Sequence, residues 1–209
     1  MKGLFVTFEG IEGSGKSTQM KLLSDSLNAI GHQCLLTREP GGPPISEKIR
    51  GLLLDPGNKD MLPRTELLLY SASRAQHTGE WILPALKEGK IVLCDRYYDS
   101  TFAYQGAARS QDMEFIQVLT SFATHATVPD LTFLIDLEVQ TGLGRISSRQ
   151  LDRLEQEDVS FHEQVRKQYL LLAQENIERF VVLDGSLNPE ALHQIIKDIV
   201  LAKLGETSA

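Results

Sequence analysis

The stretch TFEGIEGSGKST, residues 7–18, carries the densest chemical signal in the chain. Its middle, Gly10 to Ser17, satisfies G-x-x-x-x-G-K-[ST] at every position. Gly10, Gly13 and Gly15 let the backbone turn tightly and aim amide N–H groups inward, with Ile11, Glu12 and Ser14 between them. A helix that opens near Lys16 adds the positive end of its dipole. The Lys16 ammonium can reach the β- and γ-phosphates of a nucleotide, the Ser17 hydroxyl can ligate Mg²⁺, and Thr18 continues the first turn. The residues before the motif read as a strand and those after it as a helix, which is the setting this phosphate cradle requires. The cradle alone leaves kinase, GTPase and ATPase chemistry open.

A second chemical cluster is KIVLCDRYYDS, residues 90–100. Four apolar residues lead into Asp95, which suits a strand-end carboxylate holding Mg²⁺ through water; a plain strand-end cap is the alternative. Arg96 follows at once. A GTPase would need N-K-x-D, and NKDM at 58–61 has the acid one place early with no strand before it, so that reading is rejected. The five histidines form no H-x-x-x-H pattern and the two cysteines no C-x-x-C, so no protein-built transition-metal site is expected. Cys34 and Cys94 lie in apolar runs and read as reduced core thiols.

These groups need a scaffold that gathers loops at one edge. Apolar runs at 3–9, 33–37, 90–95, 130–136 and 180–184 are nearly continuous, as in parallel strands covered on both faces. Helix-periodic segments fill the gaps. Met20, Leu23, Leu27 and Ile30 make one stripe that Gly31 can end, the segment 62–86 looks helical, DPGN at 55–58 is a turn, and a last helix opens on Asn188 and Pro189. The expected fold is α/β: a P-loop NTPase fold with a five-stranded parallel sheet and helices on both faces, ligands lying beyond the strands' carboxyl ends.

The 209 residues suit a single domain spanning 1–209. A net charge of −7 argues against nucleic acid as a partner, because polyanion readers show a basic face. No apolar run approaches the ~20 residues of a membrane span, and the apolar part of MKGLFVTFEG is too short for a signal peptide, so a cytoplasmic protein with no membrane partner is expected.

GIEGSGKST, TREPGG (37–42), the arginine of YSASR (70–74), DRYYDSTFAYQG (95–106) and LDRLE (151–155) stand in the order and spacing of bacterial thymidylate kinases, which the chain resembles over essentially its whole length. The resemblance implies transfer of the γ-phosphoryl group of ATP to dTMP with Mg²⁺, a homodimer, and a place in dTTP supply. It implies that Arg38 and Arg96 grip the dTMP phosphate, Arg96 bridging toward the donor; their forked donors suit bidentate contacts. The alternative for Arg38 is an ion pair with the adjacent Glu39. Tyr70 falls where the family usually stacks phenylalanine on thymine, Arg74 at i+4 can donate to a thymine carbonyl, and Thr101 and Gln105 match the base side with Ser100 flanking them. Tyr104 matches the residue that crowds the sugar 2′ position. Glu9 corresponds to an acid near the metal and acceptor phosphate, and Glu12 to a carboxylate touching the sugar 3′-hydroxyl. One subgroup carries an arginine inside its P-loop; this chain has Glu12 there and arginines in a lid, GRISSRQLDRLE at 144–155. Arg149 and Arg153 are then the catalytic lid groups covering the transferring phosphoryl, and Arg145 stacks on adenine. The lid is slightly shorter and poorer in arginine than the family's, which leaves the division between Arg149 and Arg153 open.

Overall fold

The computed structural model describes residues 3–148 and 150–205. Five strands form one parallel sheet: β1 (Leu4–Glu9), β2 (Cys34–Arg38), β3 (Ile91–Asp95), β4 (Leu131–Asp136) and β5 (Phe180–Asp184), in the order β2-β3-β1-β4-β5. β1 is central and buried along its whole length, which explains why its sequence is apolar apart from Thr7 and Glu9.

Alternation along β1 assigns its two faces. Leu4, Val6 and Phe8 join the core under α1 (Lys16–Ala29) and α9 (Pro189–Leu204), where Leu23, Leu27, Ile196 and Val200 are buried. Phe5 packs on the opposite face with Val92, Cys94 and Tyr97, and Glu9 emerges on that side. Each fully buried Phe or Leu contributes roughly 1.5–3 kcal/mol of transfer free energy, so the sheet holds its register firmly. That register pairs Phe8 with Asp95 and Arg38 with Asp95. The carboxyl ends of β1, β2 and β3 therefore deliver Glu9, Arg38, Asp95 and Arg96 to one edge.

The remaining helices are α2 (Pro44–Leu54), α3 (Pro63–His77), α4 (Leu83–Lys87), α5 (Tyr98–Thr101), α6 (Met113–Ala123), α7 (Val139–Ile146) and α8 (Val159–Glu175). Gly31 closes the first helical segment at φ 97°, and Asn188 caps α9 by accepting from the Ala191 N–H at 2.8 Å, both as the sequence suggests. The DPGN turn is also present, its Asp55 side chain accepting from the Gly57 N–H.

Two elements differ from the sequence expectation. The segment 62–86 is not one α-helix: a π-helical turn at Thr78–Ile82 separates α3 from α4, and the Leu83 N–H bonds back to the Thr78 carbonyl. Pro84 has no N–H to offer and its ring crowds the preceding turn, so the widened turn accommodates it. A second π-helical turn, Phe102–Ala108, carries Tyr104 and Gln105 and rephases them relative to an ordinary helix. Cys34 is half-buried rather than in the core; Cys94 is buried, and both are free thiols. No helix among the described residues is long and apolar enough to cross a membrane.

Candidate active site

The loop between β1 and α1 forms the cradle. Gly13 has φ 71°, and a β-carbon there would overlap the carbonyl of Gly142 on α7. Gly142 has no room for a β-carbon either, because the Glu12 carbonyl lies against it. Loop and helix thus meet backbone to backbone. The first turn of α1 has neither an acidic residue nor a side-chain cap, so the positive end of its dipole is left for an anion. Lys16 is buried and its Nζ donates to the carbonyls of Ile11 (2.8 Å) and Gly10 (3.1 Å). Burial, and then the nearby Arg96 charge, push its pKa down to about 8.

Ser17 Oγ donates to Asp95 Oδ2 at 2.7 Å. A hydroxyl and a carboxylate side by side under the phosphate loop are hard oxygen ligands of the kind Mg²⁺ takes. No group of three or more His, Cys, Asp or Glu among the described residues forms a cage. The donor set therefore fits an ion held chiefly by substrate phosphates and water.

Arg96 follows β3 with φ 68°, a strained conformation for a residue with a β-carbon, and its N–H bonds to the Phe8 carbonyl. The backbone so anchored sends the guanidinium back across the loop. Nη2 donates to Glu12 Oε1 (2.8 Å), Nη1 to the Tyr169 hydroxyl (3.0 Å), and the group lies over the Tyr104 ring. Glu9 is fully buried and accepts from the Tyr97 N–H, Ser100 Oγ and the Tyr169 hydroxyl. Burial and then the Asp99 charge raise its pKa to about 7. Glu12 behaves oppositely. Burial works against its charge, but Arg96, His162, Lys16 and Tyr104 together hold it well below the usual carboxylate range.

The third part lies where α3 faces the turn after α5. Tyr70 is buried at the cavity wall. Arg74, 1% exposed, donates Nε to Glu39 Oε2 (2.7 Å), Nη1 to Thr101 Oγ1 (2.8 Å) and Nη2 to the Tyr97 carbonyl (3.1 Å). Glu39 also meets His77 Nδ1 at 2.9 Å. Glu39 is thus the partner of Arg74, and the pairing with Arg38 considered from sequence does not occur. Arg38 instead reaches both Glu47 oxygens at 3.1 Å from an exposed position.

One cavity of about 570 Å³ joins these parts. Its walls include Glu12, Gly13, Ser14, Gly15, Lys16, Ser17, Thr18, Arg38, Tyr70, Arg74, Asp95, Arg96, Ser100, Tyr104, Gln105 and Arg145. Gly10, Ile11, Glu9 and Thr101 stand just behind, bonded to residues that line it. Arg145 extends over the loop, donating to the carbonyls of Gly13 (3.0 Å) and Gly185 (3.3 Å).

Arg153 requires a correction. Its Nη2 pairs with the buried Glu66 at 2.6 Å and its Nε donates to the Leu53 carbonyl. The guanidinium neutralises Glu66, which also receives the Gln105 amide, and it does not reach the phosphate loop. Arg149 lies outside the described residues. Sequence reading also missed Arg50, Tyr169 and His162. Arg50 lines the cavity, donates to the Pro40 carbonyl, and has its pKa lowered by burial and by the charge of Arg38. A buried guanidinium whose charge is disfavoured by a second one in a cleft is a signature of anion binding. A basic residue one turn after the TREPGG-linked Glu47 was the available signal; Tyr169 and His162 sit at core spacing on α8 and gave none.

The sequence profile of the family described as Thymidylate kinase matches residues 8–196. A thymidylate kinase of Trichlorobacter lovleyi is 50% identical over 96% of this chain and 98% of its own length. One of Desulfosudis oleivorans is 52% identical over 90% of this chain and 91% of its own. A crystal structure of thymidylate kinase from Ehrlichia chaffeensis superposes with a TM-score of 0.81 at 32% identity, covering 96% of this chain and all of that one.

Proposed function

The chain belongs to the thymidylate kinase family and transfers the γ-phosphoryl group of ATP to dTMP, forming dTDP and ADP, and from that premise we propose how its residues divide the work. The observation that carries the reading is the single cavity in which the phosphate loop, the Ser17–Asp95 pair and the Arg96–Glu12 pair adjoin. ATP lies along the loop with its γ-phosphate toward Lys16, and Arg145 covers its adenine end. Arg38, with Arg50 beside it, holds the acceptor phosphate, and Arg96 reaches between the two anions. An oxygen of the acceptor phosphate attacks the γ-phosphorus, the P–O bond to ADP breaks, and no proton need be removed because the nucleophile is already anionic. Positioning and charge dispersal therefore carry the catalysis. Mg²⁺, held by Ser17 and through water by Asp95, would neutralise charge on the transferring group.

Thymine stacks on Tyr70 with Arg74, Ser100, Thr101 and Gln105 at its polar edge. Tyr104 donates to Glu12 Oε1 at 2.6 Å, so the two border the sugar together: Tyr104 against a 2′-hydroxyl, Glu12 accepting from the 3′-hydroxyl. Glu9 backs this wall near the acceptor phosphate. Residues 144–155 act as a lid that excludes water, with Arg145 at the adenine end and Arg149 as the cation proposed to cover the transferring phosphoryl group.

ADP release measured with each nucleoside monophosphate in turn tests the acceptor reading. dTMP should be the best acceptor in the presence of Mg²⁺ and inactive under chelation. Thymine differs from uracil by one buried methyl, so dUMP should be about tenfold poorer. A preference for dGMP or a deoxynucleoside, or turnover that survives chelation, would overturn the assignment.

The enzyme is further proposed to work as a cytoplasmic homodimer in dTTP supply. On α6, Phe115, Val118 and Phe122 follow one another at helical spacing and are exposed, and Leu68 on the neighbouring α3 is exposed as well. Such a stripe is expected to be covered by a second copy. Kinase activity from a soluble cell extract should sediment at twice 23.3 kDa; a monomer mass, or activity in the membrane pellet, would refute this.

A further inference from the structure

His162 is a buried titratable group that the reaction as described leaves unused. Its side chain is 1% exposed on α8, and neither ring nitrogen has a hydrogen-bond partner. Its Nδ1 lies 3.4 Å from Glu12 Oε2, and that oxygen is also buried and unpartnered. Oε1 of the same carboxylate is fully engaged by Arg96 and Tyr104. A buried imidazole and a buried carboxylate oxygen facing one another satisfy each other when Nδ1 carries the proton and the gap closes to about 2.9 Å.

The helix supports this pairing. His162 and Tyr169 are seven residues apart on α8, two turns along one face. Tyr169 meets Glu9 at 2.8 Å and His162 faces Glu12. A single helix thus presents one polar side chain to each of two carboxylates, Glu9 at the end of β1 and Glu12 in the phosphate loop. Asp158 caps the same helix ahead of His162, and the charges of Arg96 and Lys16 also act on Glu12.

We propose that His162 is a positioning residue, donating from Nδ1 to Glu12 Oε2 and so setting the direction in which this carboxylate meets the 3′-hydroxyl of the acceptor sugar. The proposal rests on the reading of Glu12 given above. Without the imidazole, Glu12 is fixed through Oε1 alone and can rotate about that anchor. Its carboxylate then leaves the sugar while Arg96 and Tyr104 remain held.

The test compares dTMP with its 2′,3′-dideoxy analogue as acceptors, read as the ratio of their kcat/KM values. His162→Phe keeps the ring and removes the donor; His162→Asn places an N–H close to the position of Nδ1. His162→Phe should lower the ratio about tenfold, His162→Asn should recover most of it, and His162→Phe should lower it no further in a Glu12→Gln background. A purely structural role would slow both acceptors alike and leave the ratio unchanged. Should His162→Phe fail to fold, His162→Met makes the same comparison. An unchanged ratio in the His162 variants, with Glu12→Gln still lowering it, overturns the inference and spares the reading of Glu12. A wild-type enzyme indifferent to the 3′-hydroxyl overturns both.

Discussion

Arg96→Ala is expected to slow phosphoryl transfer by about a thousandfold or more while lowering the melting temperature by only a few degrees. The two effects have separate causes. In the proposed reaction, the guanidinium meets charge that develops between two phosphates in a water-poor cleft, where a cation of this kind supplies roughly 4 kcal/mol or more. In the fold, the side chain bonds to Glu12 and the Tyr169 hydroxyl. Removing it strands part of the Glu12 charge, but Tyr104 still donates to the same oxygen and Lys16 remains nearby, so the cost should be near 2 kcal/mol. Alanine keeps the strained φ of 68° and gains nothing from it. Arg96→Lys should rescue little, because an ammonium cannot hold Glu12 and a phosphate with one planar fork. Rapid-quench single-turnover rates beside a thermal melt separate the two quantities. Normal single-turnover rates would remove Arg96 from the mechanism.

The parts of this enzyme that could be read from its sequence are those whose physics is local. Each strand begins and ends within one residue of the apolar runs, because the inner strands of the sheet are covered on both faces and must be largely apolar. The cradle was legible because its glycine spacing follows from backbone geometry alone. Long-range charge pairing was not. Arg153 looks like a lid cation beside its neighbours, and nothing local shows that Glu66, far away in the chain, has taken it. The alternative considered for Arg38, a pair with Glu39, rested on adjacency alone. In a strand, however, successive side chains point to opposite faces, and Glu39 turns inward to Arg74 and His77 while Arg38 turns out to Glu47. The π-helical turns at 78–82 and 102–108 escaped for a similar reason: an i→i+5 bond leaves the apolar spacing almost unchanged over so few residues. Tyr169 and His162 keep core spacing on α8 and were indistinguishable from packing residues until the loop carboxylates were found opposite them.

Lys16→Met should lower kcat/KM for ATP by about a thousandfold and also remove a pH dependence that the wild-type enzyme should show. The folded protein lowers the pKa of Lys16 from 10.5 to about 8, first by burial and then by the charge of Arg96. A lowered lysine pKa means that the fold disfavours the ammonium. Below pH 8 the charge is present at a cost to stability, and as pH rises from 8 toward 10.5 the folded protein sheds the proton while the unfolded chain keeps it, so that cost is relieved. Activity is expected to run the other way, because in the proposed mechanism only the ammonium helps to bind the β- and γ-phosphates. Wild-type kcat/KM for ATP should therefore fall up to tenfold per pH unit above about 8. kcat should hold to higher pH, since bound phosphates restore the proton. Glu9, raised to about 7, titrates on the acid side and leaves the alkaline limb to Lys16. In Lys16→Met the alkaline limb near pH 8 should vanish from the residual activity. The variant without nucleotide should melt no lower than wild type, because methionine fills the space without a buried charge. An alkaline limb that survives in the variant would show that another group sets it, and a variant that melts far lower would show that the contacts of Lys16 with the Gly10 and Ile11 carbonyls build the loop rather than wait for phosphate.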